Sequence, residues 1–262
     1  MTLVLISTIL LAILGLLIGL FLGFASEIFK VYVDDKIVKV RDVLPGNNCG
    51  GCGYPGCDGC AVAIVKGEAK PNACPVGGEK VANEISKILG VEIETGVKQV
   101  AYVHCNGTCV NAEKAYNYVG EKDCRIAFLT PNKGEKTCKY ACMGYGTCVD
   151  ACRFDAIHII DGVAKVDKEK CVGCKACIKA CPLSLITLVP YDKNHHIACN
   201  NKDKGPNVMK VCKVSCITCG ICEKNCPSKA ISIIDNTPVI DYKLCTNCGT
   251  CAEKCPRNLI TK

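Results

Sequence analysis

From Leu3 to Phe24 the chain runs 22 residues without a charge. A helix over this run is about 33 Å long, close to the hydrocarbon thickness of a bilayer. A cleaved signal peptide is the competing reading. Against it, no Lys or Arg precedes the run, the run is long for such a segment, and no Cys follows closely enough to serve as a lipoprotein site. A single membrane-spanning helix is therefore expected. Only the α-amino group lies before it, whereas Lys30, Lys36, Lys39 and Arg41 follow soon after. The positive-inside rule then places the rest of the chain on the cytoplasmic side of the cell membrane. Gly15, Gly19 and Gly23 fall on one helical face, a spacing that suits close approach by a partner helix, although Gly is common in membrane helices generally.

Beyond the anchor the apolar segments are short. Cys57 to Lys66 reads as a helix stopped by Gly67, and Glu79 to Leu89 as another ended by Gly90. Further on, alternation with a period of two takes over. AIHIIDGVAKVD at 156–167 aligns with AISIIDNTPVID at 230–241 on a shift of 74 residues. Ile157, Ile159, Ile231 and Ile233 alternate as short strands, and Asp161-Gly162 is a hairpin turn. The second half of the chain is thus an internal repeat.

Cysteine changes the picture most. The 262 residues include 26 Cys and no Trp, and only 5% are aromatic, so a conventional core is thin and metal or covalent staples are expected. A disulfide scaffold needs an oxidising compartment, which the orientation above denies. Structural zinc shows paired C-x2-C halves, often with His. Iron–sulfur ligation shows tight triplets and a fourth Cys followed by Pro. Cys171, Cys174, Cys177 and Cys181-Pro182 fit the C-x2-C-x2-C-x3-C-P pattern of bacterial ferredoxins, as do Cys216, Cys219, Cys222 and Cys226-Pro227, and Cys245, Cys248, Cys251 and Cys255-Pro256. Cys138, Cys142, Cys148 and Cys152 form a fourth, irregular motif with Arg153 in place of Pro. The repeat supports it, because the shift places Cys152 on Cys226 and Cys171 on Cys245.

The same shift places Cys138 on Cys212 and Tyr145 on Cys219. Cys219 is favoured over Cys212 as a ligand, since the short triplet closes with little loss of chain entropy. In two-cluster ferredoxins the fourth Cys ligates the other cluster. The expected sets are Cys138, Cys142, Cys148 with Cys181, and Cys171, Cys174, Cys177 with Cys152. In the second module they are Cys216, Cys219, Cys222 with Cys255, and Cys245, Cys248, Cys251 with Cys226.

Nearer the anchor, Cys49, Cys52 and Cys57 form a C-x2-C-x4-C triplet followed by Cys74-Pro75, with Gly50, Gly51, Gly53 and Gly56 between them. Such glycines let the backbone fold closely around an inorganic core. The stretch CGGCGYPGC with a distant Cys-Pro resembles the iron–sulfur domain of the Rnf complex B subunit family, in which this domain directly follows one N-terminal membrane helix. Anchor, glycine-rich domain and tandem ferredoxin modules cover nearly the whole chain in the order of that family. The resemblance implies a membrane complex, a translocase, that oxidises reduced ferredoxin, reduces NAD and moves Na+ or H+. It implies a subunit that takes electrons from soluble ferredoxin, relays them inward and works beside other membrane subunits.

The expected fold is α+β: an anchor (1–26), a small α-rich [4Fe-4S] domain (27–90), a connecting segment (91–135) and two ferredoxin-like modules (136–190 and 191–262). Five [4Fe-4S] clusters account for twenty cysteines. Cys60, Cys105, Cys109, Cys124, Cys199 and Cys212 remain. A sixth metal site has no recognised spacing there, so buried free thiols are the expectation. His195 and His196 are expected in a surface loop, and His158 in a strand.

The formal charge of +7 counts every Cys as neutral. Five thiolate-bound clusters add about −10, which removes the nucleic-acid reading and leaves the basic residues to offset cluster charge. No phosphate-cradling motif and no nucleophile–base pattern stands out, so no catalytic residue and no direct nicotinamide or flavin binding is expected. A polyferredoxin subunit of another membrane enzyme, such as a hydrogenase or a system reducing a redox regulator, and a zinc scaffold are the alternatives.

Overall fold

The computed structural model describes residues 2–29, 34–93 and 96–261. Lys30, one of the basic residues that orient the anchor, lies outside them. Helix α1 (Thr2–Ile28) carries the apolar run, and its stretch Leu5–Ile28 is long and apolar enough to cross a membrane. None of that stretch is buried against the rest of the chain, so its apolar surface awaits a lipid or protein environment. A Cβ at Gly15, Gly19 or Gly23 would meet open space.

Helices α2 (Asp35–Val43), α3 (Gly56–Val65) and α4 (Gly78–Leu89) pack together around Val40, Ala61, Ile64 and Ile85. Asp34 caps α2 by accepting from the Lys36 N–H at 2.8 Å. Both predicted stops are present: Gly67 follows α3 at φ 76°, and α4 ends on Gly90 at φ 70°.

Residues 99–190 form strand β1 (Gln99–Val103), helices α5 (Cys124–Ala127) and α6 (Thr147–Asp150), strands β2 (Ile157–Ile160) and β3 (Val163–Val166), helix α7 (Ala176–Ala180) and strand β4 (Ile186–Pro190). A second series follows, with strand β5 (His196–Ile197), helices α8 (Gly205–Val211) and α9 (Ile221–Lys224), strands β6 (Ile231–Ile234) and β7 (Thr237–Ile240), helix α10 (Thr250–Glu253) and strand β8 (Ile260–Thr261). In each series the outer strands pair antiparallel, β1 with β4 and β5 with β8, and the inner strands form a hairpin. The hairpin turns Asp161-Gly162 and Asp235-Asn236 both have positive φ at their two central residues, the conformation that matches strand twist in a two-residue loop.

Two expectations are corrected. Residues 91–135 are not merely a connector: β1 lies within them and pairs with β4, and Val100, Val103 and Cys105 join the core of the first repeat. His195 and His196 are buried rather than in a surface loop. His196 lies on β5 with its Nδ1 2.7 Å from Tyr242 Oη, because pairing with β8 draws this segment inward. The core itself mixes hydrocarbon and thiol. Ile157, Val163, Leu185 and Val189 pack among Cys142, Cys148, Cys171 and Cys177, which leaves little aliphatic surface to stabilise the repeat unaided.

Candidate metal centres

None of the 26 cysteines forms a disulfide. Among the described residues no three His, Cys, Asp or Glu side chains converge tightly enough to hold a single metal ion. The cysteines line cavities instead, as ligands of a multi-atom core do. Four turns share one local design. Gly146, Lys175, Gly220 and Gly249 all have positive φ, and each starts a short helix two residues ahead of Cys148, Cys177, Cys222 or Cys251. The left-handed residue turns the preceding loop back over the helix start, so that cysteines on both sides face one space.

In the second repeat Cys216, Cys219, Cys222 and Cys255 line one cavity, and Cys226, Cys245, Cys248 and Cys251 another. In the first repeat Cys171, Cys174, Cys177 and Cys152 line a third. These are sets that the spacing grouped, each with its fourth cysteine crossing over. The remaining set differs. Cys142, Cys148 and Cys181 are joined by Cys124, not by Cys138. Cys138 lines a separate cavity with Cys105, Cys199 and Cys212.

Helix α5 explains the exchange. Asp123 caps it, accepting from the Arg125 N–H at 2.6 Å, and the Cys124 N–H donates to Thr147 Oγ1 at 2.8 Å. The first contact starts the helix and the second docks it on α6. Tyr145, which occupies the place of Cys219 in the repeat, stacks instead on Tyr118 with ring centres 5.7 Å apart. The spacing gave no sign of this, since Cys124 lies outside the motif.

Nearer the anchor, Cys52, Cys57 and Cys74 pack with Cys60 around the start of α3. Asn48 Oδ1 accepts from the Cys57 N–H at 2.7 Å. Cys60 is only 1% exposed and lies deepest of the four. Burial, and then the neighbouring Cys49, push the Cys174 thiol upward.

The donor set fits iron–sulfur cores. Backbone N–H groups point at cysteine sulfurs: Ala101 to Cys171 at 3.3 Å, Ala164 to Cys142 at 3.5 Å, Leu185 to Cys181 at 3.5 Å, Ala230 to Cys226 at 3.3 Å and Asn247 to Cys245 at 3.4 Å. Such bonds orient thiolates and tune a cluster's potential. Burial pushes the Cys138, Cys148 and Cys177 thiols up to about 12 and Cys216 up to about 11. Thiols placed this way carry charge only when a metal compensates it.

Known proteins agree with this chemistry. A family model for an Fe-S cluster matches residues 44–76, and a 4Fe-4S dicluster domain matches residues 170–230 and 215–259. The chain is 45% identical over 236 residues to the B subunit of the Na(+)-translocating ferredoxin:NAD(+) oxidoreductase complex of Acetobacterium woodii, covering 90% of this chain and 71% of that protein. It is 40% identical over 247 residues to the B subunit of the proton-translocating ferredoxin:NAD(+) oxidoreductase complex of Clostridium ljungdahlii, covering 94% and 87%. The chain belongs to the Rnf complex B subunit family. A third member, the B subunit of the ion-translocating oxidoreductase complex of Methanosarcina acetivorans, is 42% identical over 196 residues, covering 74% of each chain. The cofactor class is [4Fe-4S]. The irregular stretch from Cys138 to Cys152 lies outside the matched ranges, so its place in this member of the family is read from geometry.

Proposed function

We propose that this chain is the electron-carrying member of a membrane-bound complex that oxidises reduced ferredoxin, reduces NAD and moves Na+ or H+. Family membership supports the activity, and one contact carries the relay. A Cβ on Gly51 would lie 2.9 Å from the Cys174 carbonyl oxygen, so the glycine-rich loop touches the first repeat at a ligand cysteine. Arg153 holds the same junction by donating to the Asn47 carbonyl at 3.1 Å. These contacts support a relay from the glycine-rich domain into the first repeat.

Five [4Fe-4S] clusters are assigned to Cys49, Cys52, Cys57 and Cys74; Cys152, Cys171, Cys174 and Cys177; Cys124, Cys142, Cys148 and Cys181; Cys216, Cys219, Cys222 and Cys255; and Cys226, Cys245, Cys248 and Cys251. When bound, each supplies one-electron redox chemistry. The protein holds the thiolates, aims N–H groups at several of the sulfurs and buries Cys57, Cys142, Cys148, Cys171 and Cys177. Cys219 and Cys248 are exposed, which supports the second repeat as the place where soluble ferredoxin docks as donor. The repeats act as tandem ferredoxin modules. Helix α1 spans the cell membrane with the body on the cytoplasmic side, beside the other subunits. The chain alone carries electrons and binds neither nicotinamide, flavin nor nucleic acid.

Removing residues 1–29 tests this reading, because no assigned ligand lies there. The truncated chain is expected to be soluble and brown, to bleach anaerobically on addition of reduced ferredoxin and to keep its colour with NADH alone. Failure of reduced ferredoxin to bleach it contradicts the proposal.

A further inference from the structure

We propose that Cys105, Cys138, Cys199 and Cys212 hold an additional [4Fe-4S] cluster, seated between the two repeats; this rests on reading the other cysteine cavities as cluster sites. Each repeat contributes a matching pair. Cys105 stands two residues beyond the end of β1, and Cys199 stands two residues beyond the end of β5. Cys138 stands four residues before Cys142, and Cys212 four before Cys216. The hydrogen bonds match as well. The Cys142 N–H donates to Cys105 Sγ at 3.3 Å, and the Cys216 N–H donates to Cys199 Sγ at 3.5 Å. Spare thiols filling gaps in a core have no reason to arrive as repeat-related pairs with the same donors.

The surroundings are built for negative charge on sulfur. Asn201, 2% exposed, donates through Nδ2 to Cys138 Sγ at 3.3 Å, and the Gly107 N–H donates to Cys105 Sγ at 3.4 Å. Lys136 is 5% exposed. Its Nζ donates to the Gly107 and Gly162 carbonyls at 2.8 Å each, and among the described residues no carboxylate pairs with it. A buried ammonium without a counter-ion is strongly disfavoured. A thiolate-bound cluster of net charge about −2 supplies that counter-ion. The cavity encloses about 310 Å³, against about 320 Å³ around Cys226, Cys245, Cys248 and Cys251 and about 360 and 450 Å³ for the flanking cavities of Cys142 and Cys216.

Position gives the site its role. Cys142 lines a cavity of the first repeat and Cys216 a cavity of the second, and each touches a sulfur of the bridging set through its own N–H. The bridging site thus has a hydrogen-bonded route to a cluster on either side. One electron received from one neighbour is passed to the other, with no net change at the bridge. Of the 26 cysteines only Cys60 and Cys109 then lack an assigned ligand role.

The test compares full-length chains purified anaerobically, by iron and acid-labile sulfide per chain and by the paramagnetic signals of the reduced protein. Cys199→Ala and Cys212→Ala are each expected to lose about four irons, one cubane's content, and one signal. Cys109→Ala should lose none. Wild-type iron content in both of the first two variants overturns the bridging site. Should those variants not fold, the wild-type chain still decides: about twenty-four irons support the bridge, and about twenty overturn it while leaving the five assigned clusters intact. Absence of sulfide from the wild type defeats the cluster reading as a whole.

Discussion

The two repeats build equivalent cysteine cavities from different stretches of chain. In the second repeat, Cys216, Cys219 and Cys222 lie in one tight loop and Cys255 crosses over. In the first, a tyrosine stands where Cys219 would be, and α5 brings Cys124 in from well before the motif. Each cavity keeps four cysteines while the source of one of them changes. Chain entropy permits this, since each doubling of loop length costs only about 0.6 kcal/mol more to close. The displaced member, Cys138, pairs with its repeat mate Cys212 across the junction.

The largest expected effect breaks that comparison directly. Cys124→Ser should lower iron by about four per chain, as Cys219→Ser should in the second repeat. Adding Tyr145→Cys to Cys124→Ser should restore the iron by giving the first repeat the second's tight triplet. Retention of iron by Cys124→Ser, with loss of the same paramagnetic signal in Cys138→Ser, would return Cys138 to the first-repeat set.

A smaller effect sharpens the contrast between the glycine-rich domain and the repeats. Gly51→Ala places a Cβ against the Cys174 backbone. Overpacking of this kind costs about 1–3 kcal/mol, measurable by denaturant titration, with iron content unchanged. Full stability in the variant would show that the junction is loose.

The smallest effect lies in the second repeat. His195 lines the cavity of Cys226, Cys245, Cys248 and Cys251 with a buried Nδ1 that has no hydrogen-bond partner among the described residues. His195→Ala is expected to move the potential of one cluster by up to about 60 mV, the equivalent of a tenfold change for one electron, and to leave the others where they are. A redox titration identical to wild type would make the imidazole simple packing.

Much of this architecture is legible in the order of residues. The apolar run, the glycine stops after α3 and α4, both hairpins and the three regular motifs follow from local rules that act within a few residues. Cys124, Cys105 and Cys199 are opaque for the opposite reason. Each is brought to its site by tertiary contacts, the docking of α5 on Thr147 and the pairing of β1 with β4 and of β5 with β8, and no fixed spacing announces them. The alignment of Cys138 with Cys212 is visible in the repeat, but a rivalry for one iron position hides its meaning. The two residues lie in the same cavity rather than in equivalent ones. The burial of His195 and His196 escapes the sequence because β5 is only two residues long and carries no alternating pattern.

The most direct test of the account is metal and sulfide analysis of the full-length chain after anaerobic purification. About twenty-four irons and as many acid-labile sulfides per chain are expected, four of each for every cubane, with no stoichiometric zinc. Zinc in place of iron, without sulfide, would contradict it.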